Sequence, residues 1–278
     1  MRIVMMGTGP FAVPTLRRLL DSPHEVVALV TQPAKPLQGK AAHAANPMRA
    51  LAEQRGLPVL DPVQVNTADS QAALAAWRPD LLVVCDYGQL LANETLAAAR
   101  LGGINLHGSL LPRYRGAAPI AWAIYHGEQV TGVTVIHMTG LLDGGPTIGC
   151  AQLPIAAEAT AEEIETQLAE LGAPLVVSCI DALAAGTASP IEQDPSQATR
   201  ARRLRKSDGV IDWRRPAQAI KNQVRALVPW PGTYTHWLRP DGEPLRLIVH
   251  RVSLVDPAEA TLPQPGLASA LGARSAIA

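Results

Sequence analysis

The stretch that decides the fold is the N-terminal segment MRIVMMGTGPFAVPTL, residues 1–16. The run RIVMM is short and apolar, which predicts a strand buried on both faces. The turn Gly7-Thr8-Gly9 follows, and residues 11–20 have the spacing of a helix, with Pro10 near its start where proline is tolerated. A buried strand that passes through a glycine turn into a helix is typical of the α/β class.

The same alternation continues along the first 185 residues. Further apolar runs are EVVALVT (25–31), LLVVC (81–85) and GINL (103–106), and a long amphipathic helix is predicted over 161–184. Strands separated by helices predict a Rossmann-like, mostly parallel sheet. Ligands of such sheets bind beyond the carboxyl ends of the strands, so we expect the loops after Met6, Cys85 and Leu106 at the functional edge.

The 278 residues amount to about two average domains. We predict a larger domain over 1–185, a linker over 186–208 and a basic C-terminal domain over 209–278. The net charge of zero conceals this division, because residues 1–200 carry 12 basic and 18 acidic side chains and residues 201–278 carry 12 and 6. The basic excess fits contact with a polyanion, although an arginine-rich solvated surface fits equally well.

Cysteine usage and hydropathy exclude several classes of protein. The three cysteines form no Cys-x-x-Cys pair, which argues against a disulfide framework or a zinc site and favours the cytoplasm. No secretory signal is visible, and no window approaches the roughly 18 apolar residues of a membrane span. We therefore expect neither a membrane segment nor a metal.

The first glycine-rich motif is Gly7-Thr8-Gly9-Pro10-Phe11-Ala12, which fits the dinucleotide fingerprint G-x-G-x-x-G/A. That fingerprint needs an acidic residue at the end of the second strand, but the strand here ends in Thr31-Gln32. A nicotinamide oxidoreductase is therefore disfavoured, and a tight turn beneath another ligand is preferred.

The most informative stretch is GINLHGSLLPRYRGAAPI, residues 103–120. Asn105 and His107 are two residues apart on a strand, so both side chains lie on the same face. Together they can donate hydrogen bonds to a developing oxyanion, and His107 can also move a proton. Alone, the pair would more simply be a strand-end cap and a core histidine.

The flanking residues decide between these interpretations. The stretch closely resembles the signature N-x-H-x-SLLP-x-x-x-G of the formyltetrahydrofolate-dependent formyltransferases, and its RYRGAAPI continuation resembles the branch that acts on methionyl-tRNA. Other segments agree in the right order over about residues 1–255: MRIVMMGTGPFAVPTL, HEVVALVTQPAKP, DLLVVCDYGQLL, GVTVIHM with LLDGGP, and DGVIDWRRPAQAIKNQVRALVPWPGTYT.

The resemblance implies a catalytic centre formed by Asn105, His107 and Asp143, with 10-formyltetrahydrofolate as co-substrate. Without it, Asp143 would be an ordinary turn residue before Gly144-Gly145. The implied folate contacts are Asp86, Tyr87, Gly88, Ser109, Leu110, Leu111 and Pro112. Two positions depart from the family pattern, because Asp86 replaces a frequent alanine and Pro146 a frequent acidic residue.

The resemblance also implies an acceptor, the initiator methionyl-tRNA of translation initiation, and a small C-terminal domain that is β-barrel-like (OB-like). We expect that barrel to be incomplete, because residues after Val255 do not resemble its closing strands. The predicted tRNA contacts are Lys35, Lys40, Arg203, Arg205, Lys206 and Arg225. A sugar-nucleotide acceptor remains the alternative, an idle RNA-binding module is disfavoured by the intact catalytic set, and a cytoplasmic monomer is expected.

Overall fold

The structure is a computed structural model that describes residues 1–33, 46–239 and 242–255, and the backbone of 268–271 and 274–277. The helices are α1 (Val13–Leu20), α2 (Pro47–Gln54), α3 (Ala68–Ala76), α4 (Asn93–Leu96), α5 (Pro119–Tyr125), α6 (Ala161–Ala185) and α7 (Ala217–Ala226). The strands are β1 (Arg2–Met6), β2 (Glu25–Val30), β3 (Val59–Leu60), β4 (Leu81–Val84), β5 (Gly103–His107), β6 (Arg115–Gly116), β7 (Val130–His137), β8 (Thr147–Pro154), β9 (Arg200–Ala201), β10 (Thr233–Trp237), β11 (Leu245–Val249), β12 (Ala268–Leu271) and β13 (Arg274–Ile277).

A seven-stranded sheet forms the larger part of the fold, in the order β3-β2-β1-β4-β5-β7-β8. The pairs among the first five strands of this order are parallel, whereas β7 runs antiparallel to β5. All four residues of β4 and the last four of β1 are buried, which is why these strands are continuous apolar runs. The predicted mostly parallel α/β fold is confirmed.

The strand order places the turn after β1 beside the loop after β4. Met6 pairs with Val84, and Val84 pairs in turn with Asn105 of β5. The chain leaves β1 toward β2 on one side and later returns to β4 on the other, so the sheet changes winding direction between β1 and β4. Ligands of open α/β sheets bind at this switch point.

Helix α6 packs on one face of the sheet. A Cβ atom on Gly172 would lie 2.6 Å from the side chain of Leu106, so this glycine lets the helix approach β5 closely. By length and composition α6 could cross a membrane, which the sequence analysis did not anticipate. Several of its residues, among them Leu168 and Val176, are buried inside the protein, as the apolar residues of a core helix are. Since Leu106 faces α6, Asn105 and His107 face the opposite side of β5.

The chain divides into two compact units that interleave along the sequence. One comprises Met1–Gly116, Gly132–Leu153 and Glu165–Arg200, and the other Ala117–Thr131, Pro154–Ile164 and the described part of Ala201–Ala278. In the second unit α7 packs against α5, and the strands form the antiparallel pairs β10–β11 and β12–β13. A small C-terminal β domain is thus confirmed, and within the described residues its strands pair two by two. The boundaries at 185 and 208 stay a prediction.

Candidate active site

The structure brings Asn105, His107 and Asp143 together on the face of β5 that points away from α6. Asn105 Nδ2 donates to Asp143 Oδ1 at 3.5 Å, and His107 Nδ1 lies 3.8 Å from Asp143 Oδ2. The side chains of His107 and Asp143 are only 7% and 11% exposed. An amide, an imidazole and a carboxylate therefore share one largely desolvated corner, where hydrogen bonds and charges act strongly.

The antiparallel direction of β7 explains how Asp143 reaches this corner. Because β7 ends at His137, opposite Ile104, the loop that follows it starts beside the beginning of β5. The loop then crosses toward the middle of β5, where Asp143 meets Asn105. The third residue thus comes from a loop beyond the parallel part of the sheet, and not from the loops after Met6, Cys85 or Leu106.

A backbone carbonyl defines the tautomer of His107. Its Nε2 lies 2.9 Å from the carbonyl oxygen of Tyr114, and because a carbonyl only accepts, Nε2 carries a hydrogen. Nδ1, which faces Asp143, is then the ring nitrogen that takes up or releases a proton. Tyr114 adopts φ +60°, an uncommon conformation for a residue with a side chain, to present this carbonyl.

The position of Asp143 depends on its backbone conformation and on hydrogen bonds from Gly116 and Gln193. Its φ of +49° lies in the left-handed region, and the backbone N–H of Gly116 donates to its Oδ2 at 2.8 Å. Gln193 donates to the carbonyl oxygens of Asp143 at 2.9 Å and of Gly145 at 2.8 Å. The segment predicted as a linker therefore supports the loop that carries Asp143.

The turn after β5 is built on buried polar contacts. Ser109 is 1% exposed, its hydroxyl donates to the carbonyl of Arg113 at 2.7 Å, and its own carbonyl accepts from Thr134 Oγ1 at 2.6 Å. Of the folate contacts predicted here, the hydroxyl of Ser109 is thus engaged within the protein. Leu110, Leu111 and Pro112 are half-buried and accessible at the surface of the turn.

The turn Gly7-Thr8-Gly9 contacts the loop after β4. Thr8 N–H donates to the carbonyl of Asp86 at 3.0 Å, and Thr8 Oγ1 to that of Tyr87 at 3.1 Å. A Cβ atom on Gly9 would lie 1.8 Å from Asp86 Oδ2, so a larger residue at this position would require the carboxylate to move.

The carboxyl group of Asp86 has a different environment from the residue as a whole. The residue as a whole is exposed, but protein surrounds the carboxyl group, and this desolvation raises the pKa of Asp86 to about 6. Its φ is +46°. Gly88, also exposed, has φ +84°. Both are placed where a ligand at the switch point could meet them.

Tyr87 requires a correction. Its side chain is 2% exposed and packs in the core with Val65, Leu91 and Leu96. Only its backbone carbonyl is at the surface of the turn, where it accepts from Thr8 Oγ1 and, at 3.1 Å, from Gln32 Nε2. The folate contact expected at Tyr87 therefore cannot involve its ring, and its carbonyl helps to fix the loop.

The predicted tRNA contacts divide into three groups. Arg203, Arg205 and Lys206 are exposed, as phosphate contacts require. Arg225 is 8% exposed, and its guanidinium donates to the carbonyl of Ala159 at 3.0 Å and to Asn222 Oδ1 at 3.1 Å. The prediction for Arg225 is corrected, because its donors are used inside the protein. Lys35 and Lys40 lie outside the described residues.

The described residues contain no group of three or more His, Cys, Asp or Glu side chains that could hold a metal ion. Three supporting features were missed from the sequence: the Tyr114 carbonyl, the Gly116 N–H and Gln193. The first two are backbone groups and leave no side-chain signal. Gln193 lies 50 residues from Asp143, and a lone glutamine in a polar segment gives no local pattern.

Comparison with known proteins agrees with this geometry. Residues 1–180 match the profile of the Formyl transferase family, and residues 203–273 that of the Formyl transferase C-terminal domain. The chain is 45% identical over 235 residues to "Methionyl-tRNA formyltransferase" of Citrifermentans bemidjiense, covering 84% of this chain and 74% of that protein. It is 41% identical over 284 residues to the protein of the same name from Anaeromyxobacter dehalogenans, covering 100% of this chain and 90% of that one.

Among solved structures, the sugar 3N-formyl transferase WlaRD, crystallised in the presence of dTDP and 5-N-formyl-THF, matches with a TM-score of 0.63. The match covers 81% of this chain and 78% of that one, at 17% sequence identity, and so shows a shared fold. Both family profiles match in the expected order along the chain. The two named relatives are more than 40% identical over most of its length. The chain therefore belongs to the formyl transferase family, and within it to the methionyl-tRNA formyltransferases.

Proposed function

We propose that this chain transfers the formyl group of 10-formyltetrahydrofolate to the free amino group of initiator methionyl-tRNA, with Asn105, His107 and Asp143 as catalytic residues. The observation that carries the proposal is the convergence of these three side chains in one desolvated corner, with separations of 3.5 and 3.8 Å to the Asp143 carboxylate. The names of relatives above 40% identity support the acceptor.

The transfer needs an oxyanion stabiliser and a proton carrier. The amine attacks the formyl carbon, a C–N bond forms, and the carbonyl electron pair moves to the formyl oxygen. Asn105 Nδ2–H can donate toward that oxygen throughout, and Nδ1 of His107 can do so once it has taken up the proton that the amine releases. One such donor contributes about 10²- to 10³-fold in rate.

Protons must balance across the reaction. The amine loses one proton, and N10 of the folate gains one when its bond to the formyl carbon breaks. His107 can carry this proton on Nδ1, because Nε2–H is committed to the Tyr114 carbonyl. The Asp143 carboxylate stabilises the imidazolium and orients its ring. The α-amino group titrates near pKa 7.7–8.0, so part of it is unprotonated near neutral pH.

Accessible groups beside the switch point support folate binding in the same compact unit. Leu90 follows the loop after β4 and is 70% exposed, and Leu141 and Leu142, just before Asp143, are 61% and 53% exposed. Pockets for organic ligands are lined mainly by apolar side chains, and these leucines are available to line one. The crowded Asp86 carboxyl adds a polar group. We propose Asp86, Gly88, Leu110, Leu111 and Pro112 as the contacts of the folate donor.

The acceptor is proposed to bind through the basic C-terminal part. Arg203, Arg205 and Lys206 are exposed on a short segment that precedes α7. Contacts of this kind give affinity that falls steeply with salt, because phosphate counterions are released on binding. We further propose that the chain acts as a cytoplasmic monomer with a catalytic domain over 1–185 and a tRNA-binding domain over 209–278.

An acceptor competition tests the proposal. The full chain is given 10-formyltetrahydrofolate with methionyl-tRNA in one reaction and with an aminosugar nucleotide in another, and formylated product is quantified. We expect formyl-methionyl-tRNA at a rate at least about 10²-fold above that of the sugar product, since a site built for one acceptor leaves polar groups unpaired with another. Formylation of the sugar nucleotide alone would overturn the proposal.

A further inference from the structure

Gln193 forms a bridge between the Asp143 loop and Arg115. Its Nε2 donates to the carbonyls of Asp143 and Gly145 at 2.9 and 2.8 Å. Its Oε1 accepts from Arg115 Nε at 3.1 Å and from Nη2 at 2.6 Å. Gln193 lies between the segments that match the two family profiles, residues 1–180 and 203–273.

The amide group suits all four contacts, because it carries an acceptor and a donor at its two ends. Arginine only donates and carbonyls only accept, so the side chain at position 193 must accept at one end and donate at the other. Glutamate would keep the contacts to Arg115, but it would place a carboxylate oxygen against two carbonyl oxygens. The orientation of the amide is thereby set by its partners.

These contacts act on a conformation that needs support. Asp143 adopts a φ of +49°, and such a left-handed non-glycine residue persists only when its surroundings hold it there. Arg115 precedes Gly116, whose N–H binds the Asp143 carboxylate at 2.8 Å. The bridge therefore connects both segments that determine where the carboxylate lies relative to His107.

We infer that Gln193 is a positioning residue for formyl transfer, which acts through Asp143 by tying its loop to Arg115. This inference rests on the catalytic role proposed for Asp143. Displacement of a catalytic group by about 1 Å can cost about 10²-fold in rate. Because Gly116 still holds the carboxylate, we expect loss of Gln193 to cost about 10-fold.

The test is a double-mutant cycle on the single-turnover formylation rate of the full chain. The variants are Gln193→Ala, Gln193→Glu, Asp143→Ala and the double variant Gln193→Ala/Asp143→Ala. The matched control is Gln197→Ala on the same segment, an exposed glutamine whose Nε2 donates to Asp194 Oδ2 at 2.9 Å. Melting temperatures establish that every variant is folded at the assay temperature.

We expect Gln193→Ala and Gln193→Glu each to lose about 10-fold in rate while Gln197→Ala stays within 2-fold. In the Asp143→Ala background, removal of Gln193 should cost less than about 2-fold, because a residue that acts through another has nothing left to position. A further 10-fold loss in that background, a wild-type rate for Gln193→Ala, or rescue by Gln193→Glu would overturn the inference. A wild-type rate for Asp143→Ala would overturn the catalytic assignment on which it rests.

Discussion

A single methyl group at Gly145 should misplace the catalytic loop. A Cβ atom on this buried residue would lie 1.8 Å from the carbonyl oxygen of His137 and 2.9 Å from its carbonyl carbon, whereas real Cβ contacts stay above 3.0 Å. The loop must therefore move by at least about 1.2 Å. His137 is the end of β7 and pairs with Ile104, so the strand cannot yield easily and the loop takes up the displacement.

The size of the effect follows from this displacement. Asp143 is two residues before Gly145, and a shift of about 1 Å at a catalytic group can cost about 10²-fold in rate. We expect Gly145→Ala to lower the single-turnover formylation rate by about that factor. Overpacking also destabilises by about 1–3 kcal/mol, which a thermal melt measures separately.

Gly140→Ala is the matched control in the same loop. The nearest atom to a Cβ at Gly140 is Asn93 Oδ1 at 3.6 Å, an ordinary contact. This variant should keep a rate within about 2-fold of the wild type, as surface changes away from such features have small effects. A normal rate for Gly145→Ala in a folded protein, or an equal loss in both variants, would refute the role given to the Asp143 loop.

Three further predictions concern charge. The raised pKa of Asp86, about 6, means that the folded state binds more protons than the unfolded state between pH 4 and 6, so its effect is to lower stability as pH rises through that window. Asp86→Asn should then raise the free energy of unfolding at pH 7 more than at pH 4, by less than about 1 kcal/mol because the residue is exposed, and an equal change at both pH values would contradict this. Arg225→Ala should destabilise the protein by about 1–3 kcal/mol in denaturant unfolding, since it leaves carbonyls unpaired, without weakening tRNA affinity where the variant is folded. Arg205→Ala should leave stability unchanged but weaken tRNA binding and lower the slope of log affinity against log salt by about 1. Weaker tRNA binding by Arg225→Ala together with lower stability of Arg205→Ala would show that the roles of the two arginines are exchanged.

The fold and the shared face of Asn105 and His107 could be predicted from local sequence. The run LLVVC predicts β4 because a strand covered on both faces must be apolar throughout. The two-residue spacing of Asn105 and His107 predicts a shared face, and the structure confirms it through their common contact with Asp143. These are properties of one strand and need no tertiary information.

What could not be predicted depends on distant parts of the chain. The position of Asp143 follows from the antiparallel pairing of β7 with β5, and no local pattern records that direction. Arg225 looks like one more cation of a basic helix, yet the carbonyl of Ala159, 66 residues away, binds its guanidinium. Tyr87 follows a strand as a ligand-binding residue would, but its ring packs into the core.

The most direct test of the catalytic centre is the single-turnover rate of methionyl-tRNA formylation by three variants, Asn105→Ala, His107→Ala and Asp143→Ala, beside the wild type. We expect each to be folded at the assay temperature, as a thermal melt measures, and to lose at least about 10²-fold in rate. Folded variants that all formylate methionyl-tRNA at near wild-type rates would contradict the assignment of these three residues.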